Sequence, residues 1–487
     1  MENVLTAEEV RAAEERVMQS GVTEDYLRLN AALAIADGIF TRAKADGAYT
    51  AVFCGNGGNG YDGLLAACRL KRLGINVRAF LTADKSKYDA KLIAYADNAG
   101  LEMLPAAEYC FNATVIVDAI FGIGLNREVT GAVAELIKDL NSQKRGFRLA
   151  VDIPSGLNAD TGEIMGVAFD ADITVTFSCY KKGMLFGKGK DVCGKVIVEQ
   201  IGIDTQSVVR VFGSADLPRH KRKRTAHKGN NGKIFVIGGS GAMIGAPMLA
   251  GAAAHAAYLN GAGTVTVCLP AIFRASASAR VNMAMMKYLP DTREGFVKFD
   301  KKSLKEIIRK ATAINIGTGM GATPELKNIV EYLCENFDGV LVLDADALNA
   351  VASDHAFLKD AKAKIIITPH VGEFTRLTGK PATVENAMEF AKQTGVLTVL
   401  KSDTTIITDG NEARLNITGT PAMAKGGTGD VLGGCIAALA CAYGAFDAAC
   451  IACYRNGIGA EYAVSSYAEL MLTPRDILNY AEYKELF

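Results

Sequence analysis

The amino-acid sequence predicts two α/β domains, each built on a mostly parallel sheet covered by helices. Two observations predict this. Short apolar runs with strand character alternate with helical patterns, and this alternation starts twice, after Tyr49 and again after Gly232. The 487 residues also exceed what one core usually holds, given about 150 residues per domain. The predicted domains span residues 1–213 and 222–487.

The composition allows real cores and argues against a nucleic-acid or membrane partner. Hydrophobic residues make up 49% of the chain, and Gly plus Pro amount to only 50 and 11 residues, so neither domain is expected to be disordered. Acidic and basic residues balance at 53 each. Without a global field, any recognition of phosphate has to be local.

The cysteines and the apolar runs predict a cytoplasmic protein. The 11 cysteines lie in apolar runs such as Val52-Phe53-Cys54, which is typical of free thiols in a reducing compartment. Cys450 and Cys453 have the spacing of half a zinc site, but their helical apolar surroundings favour core packing. The glutamate-rich start is unlike a signal peptide, and no stretch of 18 residues is apolar enough to span a bilayer.

The first domain begins with helices and continues as a βαβ series. Thr6-Ala-Glu-Glu9 is a capping box that opens a helix to about Gln19. The following pattern predicts a helix over 27–42, a strand over 49–54, a turn over 55–60, a helix over 62–73 and a strand over 76–81. Further strands are expected up to Asp118 and Asp152, and over 173–177 and 195–199.

Two aspartates close apolar strands of this series. Asp118 and Asp152 are each followed by a loop that contains glycine, and such strand ends line the ligand crevice of a doubly wound sheet. One aspartate in this place is as readily explained as a helix cap. Two of them beside a glycine turn favour a ligand site.

The turn Gly55-Asn-Gly-Gly-Asn-Gly60 satisfies the pattern G-x-G-x-x-G, and Asp84 follows 24 residues after Gly60. Taken alone, this pattern predicts a dinucleotide site and an NAD-dependent dehydrogenase. The polar residues Asn59, Tyr61 and Asp62 instead favour a bound cation or a polar substrate.

Three motifs of this domain resemble the NAD(P)H-hydrate epimerase family: residues 55–63, Val117-Asp-Ala-Ile-Phe-Gly-Ile-Gly-Leu-Asn126 and Val151-Asp-Ile-Pro-Ser-Gly-Leu157. The resemblance implies a Rossmann-like doubly wound sheet over 1–213. It implies K⁺ at Asn59, Asp118 and Ser155, and Asp152 as the catalytic acid or base. The substrate contacts that it implies, besides Asp152, are Gly58, Asn59, Gly60, Tyr61, Asp62, Gly122, Ile123, Gly124, Leu125, Asn126, Arg127 and Glu128.

The second domain follows a basic stretch, Arg219-His-Lys-Arg-Lys-Arg224, which is interpreted as a solvated linker because no aromatic residues are interleaved. Strands are expected over 233–237, 265–268, 313–316, 340–343, 365–368 and 398–400, with a small-residue helix over 248–260. Asp344, Asp346 and His370 fall at strand ends. His370 on its own would be a satisfied loop histidine, and Glu373 gives it modest support as a site residue.

The most informative stretch is Met423-Ala-Lys-Gly-Gly-Thr-Gly-Asp-Val-Leu-Gly-Gly434. Its glycines precede a buried helix, whose positive end favours phosphate oxygens. Asp430 would then lie beside the anion and accept a proton from a hydroxyl that attacks phosphorus. A glycine-rich connection with an ordinary capping aspartate is the alternative. Three glycines and Asp430 within five residues favour the functional interpretation.

This motif closes an ordered series that resembles the ADP-dependent NAD(P)H-hydrate dehydratase family, a ribokinase-like fold, over 222–487. The other members are His227-Lys-Gly229, Gly317-Thr-Gly-Met-Gly321, Thr368-Pro-His-Val-Gly-Glu373 and Lys401-Ser-Asp-Thr-Thr405. The resemblance implies ADP as co-substrate, Mg²⁺ as cofactor and Asp430 as the catalytic base. It implies substrate contacts at Ala246, Gly321, His370 and Asp430, and nucleotide contacts at Lys401, Ser402, Asp403, Thr404, Thr405 and Gly429.

Together the two halves resemble the bifunctional NAD(P)H-hydrate repair family. The resemblance implies epimerisation of the R and S hydrates of NADH and NADPH (NADHX and NADPHX), followed by ADP-dependent dehydration of the S hydrate to NAD(P)H, AMP and phosphate. It also implies a homo-oligomer. The alternatives are a kinase of vitamin precursors, a nucleotide sensor without turnover, and the dehydrogenase.

Overall fold

The computed structural model describes residues 1–480 except 46, 144, 219–222, 244, 277–283 and 467. It divides into two compact units, Glu2–Ser207 and Val208–Phe487, the latter grouped with Met1. The boundary at Ser207 lies before the expected end at residue 213, because the strand at 209–211 pairs within the second unit. Most of the basic stretch at 219–224 lies outside the described residues.

The first unit contains nine strands and six helices in its described part. The strands are Glu2–Leu5 (β1), Thr50–Cys54 (β2), Val77–Leu81 (β3), Glu102–Pro105 (β4), Val115–Ala119 (β5), Phe147–Val151 (β6), Ile173–Phe177 (β7), Tyr180–Lys181 (β8) and Lys195–Glu199 (β9). The helices are Ala7–Gln19 (α1), Glu24–Ala43 (α2), Gly58–Arg72 (α3), Ala90–Asn98 (α4), Gly131–Ser142 (α5) and Gly189–Val192 (α6).

Seven of these strands form a parallel sheet in the order β4-β3-β2-β5-β6-β7-β9. One core cluster packs α2, α3 and α4 on the sheet, and another packs α5 on it. The strand order reverses between β2 and β5, so the carboxyl ends of these strands border the crevice in which doubly wound folds bind ligands. The Rossmann-like sheet expected from the sequence is confirmed.

The second unit contains ten strands and nine helices in its described part. The strands are Val209–Val211 (β10), Lys233–Gly238 (β11), Thr264–Pro270 (β12), Met285–Leu289 (β13), Ala313–Thr318 (β14), Val340–Leu343 (β15), Lys364–Ile367 (β16), Leu397–Leu400 (β17), Thr405–Thr408 (β18) and Ala413–Asn416 (β19). The helices are Ala246–Leu259 (α7), Lys301–Ile308 (α8), Pro324–Asn336 (α9), Asp346–Val351 (α10), Val371–Thr378 (α11), Val384–Thr394 (α12), Thr428–Tyr443 (α13), Ala445–Ser466 (α14) and Pro474–Tyr480 (α15).

The second sheet runs β13-β12-β11-β14-β15-β16-β17 with all strands parallel, and β18 and β19 continue it as antiparallel strands. The three-residue strand β10 pairs with β19 in parallel. The order reverses between β11 and β14. Helices α7, α13 and α14 bury small and apolar residues in one core with the sheet, so α13 is held with its first turn at the carboxyl ends of the strands.

Two expectations about individual elements need correction. The helix expected from Asp62 begins at Gly58, so Asn59 and Gly60 belong to its first turn and not to a preceding turn. Residues 204–216 show no clear periodicity in the sequence, which predicts an irregular segment, but they contain β10.

The sequence predicts free cysteines and no membrane-spanning segment. All 11 cysteines are free, and Cys450 and Cys453 are buried in α14, which confirms core packing for this pair. None of the helices in the described ranges combines the length and apolar character that crossing a bilayer requires.

Candidate active sites

The first unit contains a cavity of about 600 Å³ at the point where the strand order of its sheet reverses. One wall is the start of α3, and a second is the loop from Ile120 to Arg127 that follows β5. Asp152, which follows β6, also lines the cavity. Helices α1 and α2 close it with Arg11, Glu14, Met18, Leu27 and Arg28. The carboxyl ends of three neighbouring strands therefore border one cavity.

Asp152 is the most constrained side chain of this cavity. Its backbone is left-handed, with φ of 62°. Its Oδ1 accepts hydrogen bonds from the Thr176 hydroxyl and the Phe177 N–H, both at 3.2 Å, and from the Lys181 ammonium. Lys181 is 1% exposed and also donates to Thr176 Oγ1 at 2.8 Å and to the Phe177 carbonyl at 3.0 Å. A buried ion pair thus fixes Asp152 at the cavity wall.

The three residues expected to hold K⁺ lie together below this cavity. The Ser155 hydroxyl and N–H donate to the two oxygens of Asp118 at 2.6 and 2.7 Å. The Phe121 N–H donates to Ser155 Oγ at 2.8 Å, and Asn59 Nδ2 donates to the Phe121 carbonyl at 2.9 Å. Asp118 and Ser155 are fully buried.

Burial raises the pKa of Asp118 to about 6, against the lowering effect of hydrogen bonds from Ser155 and Ile120. Its hydrogen-bond donors within the described part of the chain are all neutral. A buried carboxylate without a cationic partner is costly. With the Ser155 hydroxyl and the Asn59 carbonyl, it forms the set of hard oxygen ligands that suits a cation.

The glycine motif serves close packing of α3 on the sheet. A Cβ atom on Gly60 would lie 1.7 Å from the Gly55 carbonyl oxygen, and one on Gly63 would lie 2.3 Å from Ala119 Cβ. Gly58, Asn59 and Asp62 line the cavity, whereas Gly60 and Tyr61 do not. Tyr61 instead lies beneath the Arg28 guanidinium, 4.2 Å from its ring centre.

The second motif places most of its residues at the cavity. Gly122, Ile123, Gly124, Leu125, Asn126 and Arg127 all line it. Glu128 is exposed outside the lining. Asp84, the distant acid of the dinucleotide pattern, is exposed and accepts a hydrogen bond from Ser86 N–H at 2.9 Å, as a cap of a short helical turn.

Sequence reasoning missed the charged residues that reach the cavity from other elements. Glu14 extends from α1, and burial followed by the charge of Asp152 raises its pKa. Its spacing of four residues from Val10 and from Met18, along the apolar face of α1, was a signal that it points inward. Lys181 gave no such signal, because its partner Asp152 is 29 residues away.

In the second unit, the first turn of α13 lies at the carboxyl ends of the strands. Gly427 caps the helix with φ of 98°, and Asp430 is its third residue. The first N–H groups of a helix have no partner within it and attract anions. Burial, followed by the charge of Asp344, raises the pKa of Asp430, while Thr318 and Lys401 lower it.

Lys401 and Asp344 form an ion pair under this helix end. Lys401 Nζ donates to Asp344 Oδ1 at 2.9 Å, and the Asp344 side chain is 2% exposed. A Cβ atom on Gly429 would lie 3.0 Å from Lys401 Nζ, so glycine leaves the ammonium open toward the helix end. Burial alone lowers the pKa of Lys401, but the carboxylates of Asp344, Glu373 and Asp430 outweigh it, and the pKa is raised.

His370 has a local structural role. It caps α11 through Nδ1, which accepts from the N–H groups of Gly372 and Glu373 at 3.0 and 3.3 Å. Glu373 is buried, and its carboxylate accepts a hydrogen bond from the backbone N–H of His370 at 2.9 Å. Because Nδ1 accepts, the neutral ring carries its proton on Nε2. The side chain is 59% exposed, so this N–H can meet a ligand.

The remaining expected residues occupy the same edge of the sheet. The Gly321 N–H donates to Asp346 Oδ2 at 2.7 Å. Residues 401–405 form the tight connection between β17 and β18, in which Ser402 Oγ donates to the Thr404 carbonyl at 2.6 Å. Ala246 begins α7, and its side chain lies outside the described part. Asp403 is exposed on the connection.

The buried hydroxyl groups without a hydrogen-bond partner within the described residues include two in loops and helix ends of this unit. They belong to Ser240, in the glycine-rich loop after β11, and to Thr428, the first residue of α13. Buried polar groups are normally paired. Thr428 directly precedes Gly429 and Asp430, so its unpaired hydroxyl favours a polar ligand, such as phosphate, at the helix end.

Fold and site geometry thus define two ligand-binding α/β units, one with a cavity rich in carboxylates and one with an anion-binding helix end. Residues 24–183 match a family model described as YjeF-related protein N-terminus, and residues 234–482 match one described as NAD(P)H-hydrate dehydratase.

Curated relatives match over almost the whole chain. The bifunctional NAD(P)H-hydrate repair enzyme of Hyperthermus butylicus is 34% identical over 94% of this chain and 88% of its own length. The enzyme of the same name from Moorella thermoacetica is 34% identical over 89% and 86%. A solved ADP/ATP-dependent NAD(P)H-hydrate dehydratase of Bacillus subtilis is 28% identical, with a TM-score of 0.48 over 56% of this chain and 96% of that chain.

The chain therefore belongs to the family of bifunctional NAD(P)H-hydrate repair enzymes, with an epimerase domain of the YjeF N-terminal type followed by a dehydratase domain. This confirms the family expected from the motifs.

Proposed function

We propose that the first unit interconverts the R and S epimers of NADHX and NADPHX, and that the second dehydrates the S hydrate at the expense of ADP. The observation that carries the proposal is the position of Asp430, half-buried in the first turn of α13 beside the Lys401–Asp344 pair. A carboxylate next to an anion-binding helix end is suited to remove the proton from a hydroxyl that attacks phosphorus.

The dehydration follows from this arrangement. The hydrate carries a hydroxyl on the carbon next to the ring nitrogen. Asp430 takes the hydroxyl proton while the oxygen attacks the β-phosphorus of ADP, and AMP leaves with the electron pair of the broken P–O bond. The ring nitrogen then expels phosphate, and loss of the neighbouring C–H proton restores the dihydronicotinamide. The Lys401 ammonium and the N–H groups around Gly429 would bind the nucleotide phosphates.

Mg²⁺ would be held at the same edge of the sheet. Oδ1 of Asp344 accepts a hydrogen bond from Lys401. Oδ2 of Asp344 is the type of oxygen ligand that Mg²⁺ prefers. The bound ion would neutralise phosphate charge.

Asn59, Asp118 and Ser155 would hold K⁺ in the first unit. The ion would supply the positive charge that the buried Asp118 lacks. The residues from Gly122 to Asn126 and the start of α3 would then be held in place around the substrate.

Assembly as a homo-oligomer and a cytoplasmic location are proposals that rest on the family resemblance and on the free cysteines. Light scattering of the purified chain tests the first, and fractionation of cells tests the second.

The test of the proposed function is incubation of the protein with hydrated NADH, Mg²⁺ and either ADP or ATP. Recovery of the reduced-nicotinamide absorbance, with one AMP per NADH in the ADP reaction, is expected. A stable phosphorylated product would indicate a kinase, stabilisation without consumption of nucleotide would indicate a sensor, and reduction of added NAD would indicate a dehydrogenase. Any of these three results would overturn the proposal.

A further inference from the structure

Epimerisation by loss and return of water requires two proton transfers at the hydrate carbon. One group must protonate the departing hydroxyl, and a second must deprotonate the water that returns from the opposite side of the ring. Asp152 can serve only one of these roles in a given direction. The cavity should therefore contain a second group that exchanges protons.

The contacts of Asp152 make it the base. One of its oxygens already accepts from the Thr176 hydroxyl, the Phe177 N–H and the Lys181 ammonium. Hydrogen bonds to the charged form and an adjacent cation favour the ionised carboxylate. Lys181 cannot turn away, because it is buried and its other donors are used by Thr176 and Phe177. Asp152 is thus prepared to accept a proton.

Asp62 has the opposite environment in the same cavity. It lies in the second turn of α3, and its Oδ1 is buried without a hydrogen-bond partner in the described part of the chain. The guanidinium of Arg28 approaches this atom only to 3.5 Å. Arg28 donates from Nε and Nη2 to Glu24, and its Nη1 also donates to the Gly58 carbonyl at 3.5 Å. This carboxyl group therefore has little to stabilise its charge.

The two groups reach the cavity from elements on either side of β5. Asp62 follows β2 and Asp152 follows β6, and β5 lies between these strands. Two spacings of about 4.8 Å separate the strand ends by roughly 10 Å. Because Asp62 and Asp152 both line the cavity, a flat ring bound there would meet a carboxyl group from each of these two elements.

We propose that Asp62 is a second catalytic residue of the epimerase and acts as the acid opposite Asp152. The C–O bond of the hydrate breaks, its electron pair takes the Asp62 proton, and water leaves while the nitrogen lone pair forms a C=N bond. Water then adds from the other side, its proton passes to Asp152, and the C=N electron pair returns to nitrogen. Asp152 releases its proton to solvent and Asp62 regains one. In the reverse direction the two roles exchange. The inference rests on the epimerase activity proposed above.

The pKa of Asp62 agrees with its role as the acid. Burial raises the pKa of Asp62 to about 8, and the charges of Asp152 and Glu14 add to the effect, while Arg28 opposes it. These three groups face Asp62 from α1, from α2 and from the end of β6. A carboxyl group whose pKa is raised in this way keeps its proton near neutral pH and can act as an acid. Since the acid form of Asp62 is lost above pH about 8, kcat/KM should fall there.

The experiment compares wild type, Asp62→Asn and Asp62→Glu, in the full chain, by following epimerisation of pure R hydrate by chromatography without ADP. Asp25→Asn is the matched control, because Asp25 is an exposed carboxylate of α2 outside the cavity. We expect Asp62→Asn to lower kcat about 10²- to 10⁴-fold with little change in KM, and to lose the fall above pH 8. Asp62→Glu should regain that fall, and Asp25→Asn should behave as wild type.

An inactive wild type would reject the epimerase function itself. An active wild type with an Asp62→Asn variant within about threefold of it, or with the same fall above pH 8, would overturn the role of Asp62 alone. If Asp62→Asn is inactive and also melts at a lower temperature, the pH profile of Asp62→Glu decides: a profile without the alkaline fall overturns the proposal.

Discussion

Asp430 shows how one side chain can be both ionised and basic. Its place in the first turn of α13 favours the charged form through the helix dipole. Burial and the nearby charge of Asp344 act in the opposite direction and raise its pKa, and Lys401 limits this rise. A general base works best when its pKa is raised toward the working pH while it stays ionised. The sequence suggested the dipole effect but not the burial.

Asp430→Asn should abolish dehydration and leave nucleotide binding largely intact. Loss of a general base costs about 10²- to 10⁴-fold in rate, while the N–H groups of the helix end are unchanged. The measurement is NADH recovery at saturating ADP, with ADP binding by calorimetry. Near-normal turnover would show that Asp430 is not the base.

Lys401→Met should shift the acid side of the dehydration profile to higher pH. Lys401 lowers the pKa of Asp430, so its removal raises that pKa, and the base is lost at a higher pH on acidification. The profile of kcat against pH at saturating ADP measures this. Lys380→Met removes a surface pair with Glu389 and is the control. If the fall of kcat on acidification occurs at the same pH in Lys401→Met and in wild type, Lys401 does not act on Asp430.

The site residues that could be predicted from the sequence share one property: each lies in a short motif that itself indicates the role of the residue. Asp430 lies among glycines at a helix start, and Asp118 and Asp152 end apolar strands. Glu14, Arg28 and Lys181 act through partners on other elements of the first unit, so no local pattern identifies their chemistry.

At the scale of elements, helix α3 positions the first site because its glycines let it approach the sheet. Gly60 comes so close to Gly55 that a methyl group would overlap the carbonyl oxygen at 1.7 Å. Asn59 and Asp62 are on the same turns, so their placement depends on this contact.

Gly60→Ala should therefore destabilise the first unit by about 1–3 kcal/mol or more, because the added carbon overlaps backbone atoms that cannot move aside. Gly58→Ala is the matched control, since its Cβ would have only Arg28 Nη1 nearby, at 3.9 Å. Thermal unfolding by circular dichroism compares the two. Equal melting temperatures would contradict the close packing of α3.

Elements with a clear period were predictable, and short edge elements were not. The central strands of both sheets and the helices α1 and α2 match their expected places. The strand β10 has only three residues, and the hairpin of β18 and β19 shows no apolar run long enough to stand out. The strand β10 forms by pairing with β19, which is distant in sequence and which a local pattern does not contain. The strands β18 and β19 form because they extend the sheet from β17.

For the whole molecule, the boundary at Ser207 predicts which pieces fold alone. We expect 1–207 and 208–487 to be stable, because each has its own sheet and core. A piece that starts at residue 222 loses β10 and Phe212, whose buried ring packs against Tyr454 at 5.9 Å between ring centres. It should melt at a lower temperature than 208–487. Identical melting of the two would place the boundary nearer residue 222.

The central claim is that the two units divide one repair reaction, and the progress curve on a mixture of epimers tests it most directly. With ADP in excess, residues 208–487 alone should convert one fraction quickly and then slow to the rate of spontaneous epimerisation. The intact chain should run to completion, and Asp152→Ala in the intact chain should reproduce the slow phase. Completion in a single phase by the C-terminal piece alone would contradict the account, because the first unit would then not be needed to supply the usable epimer.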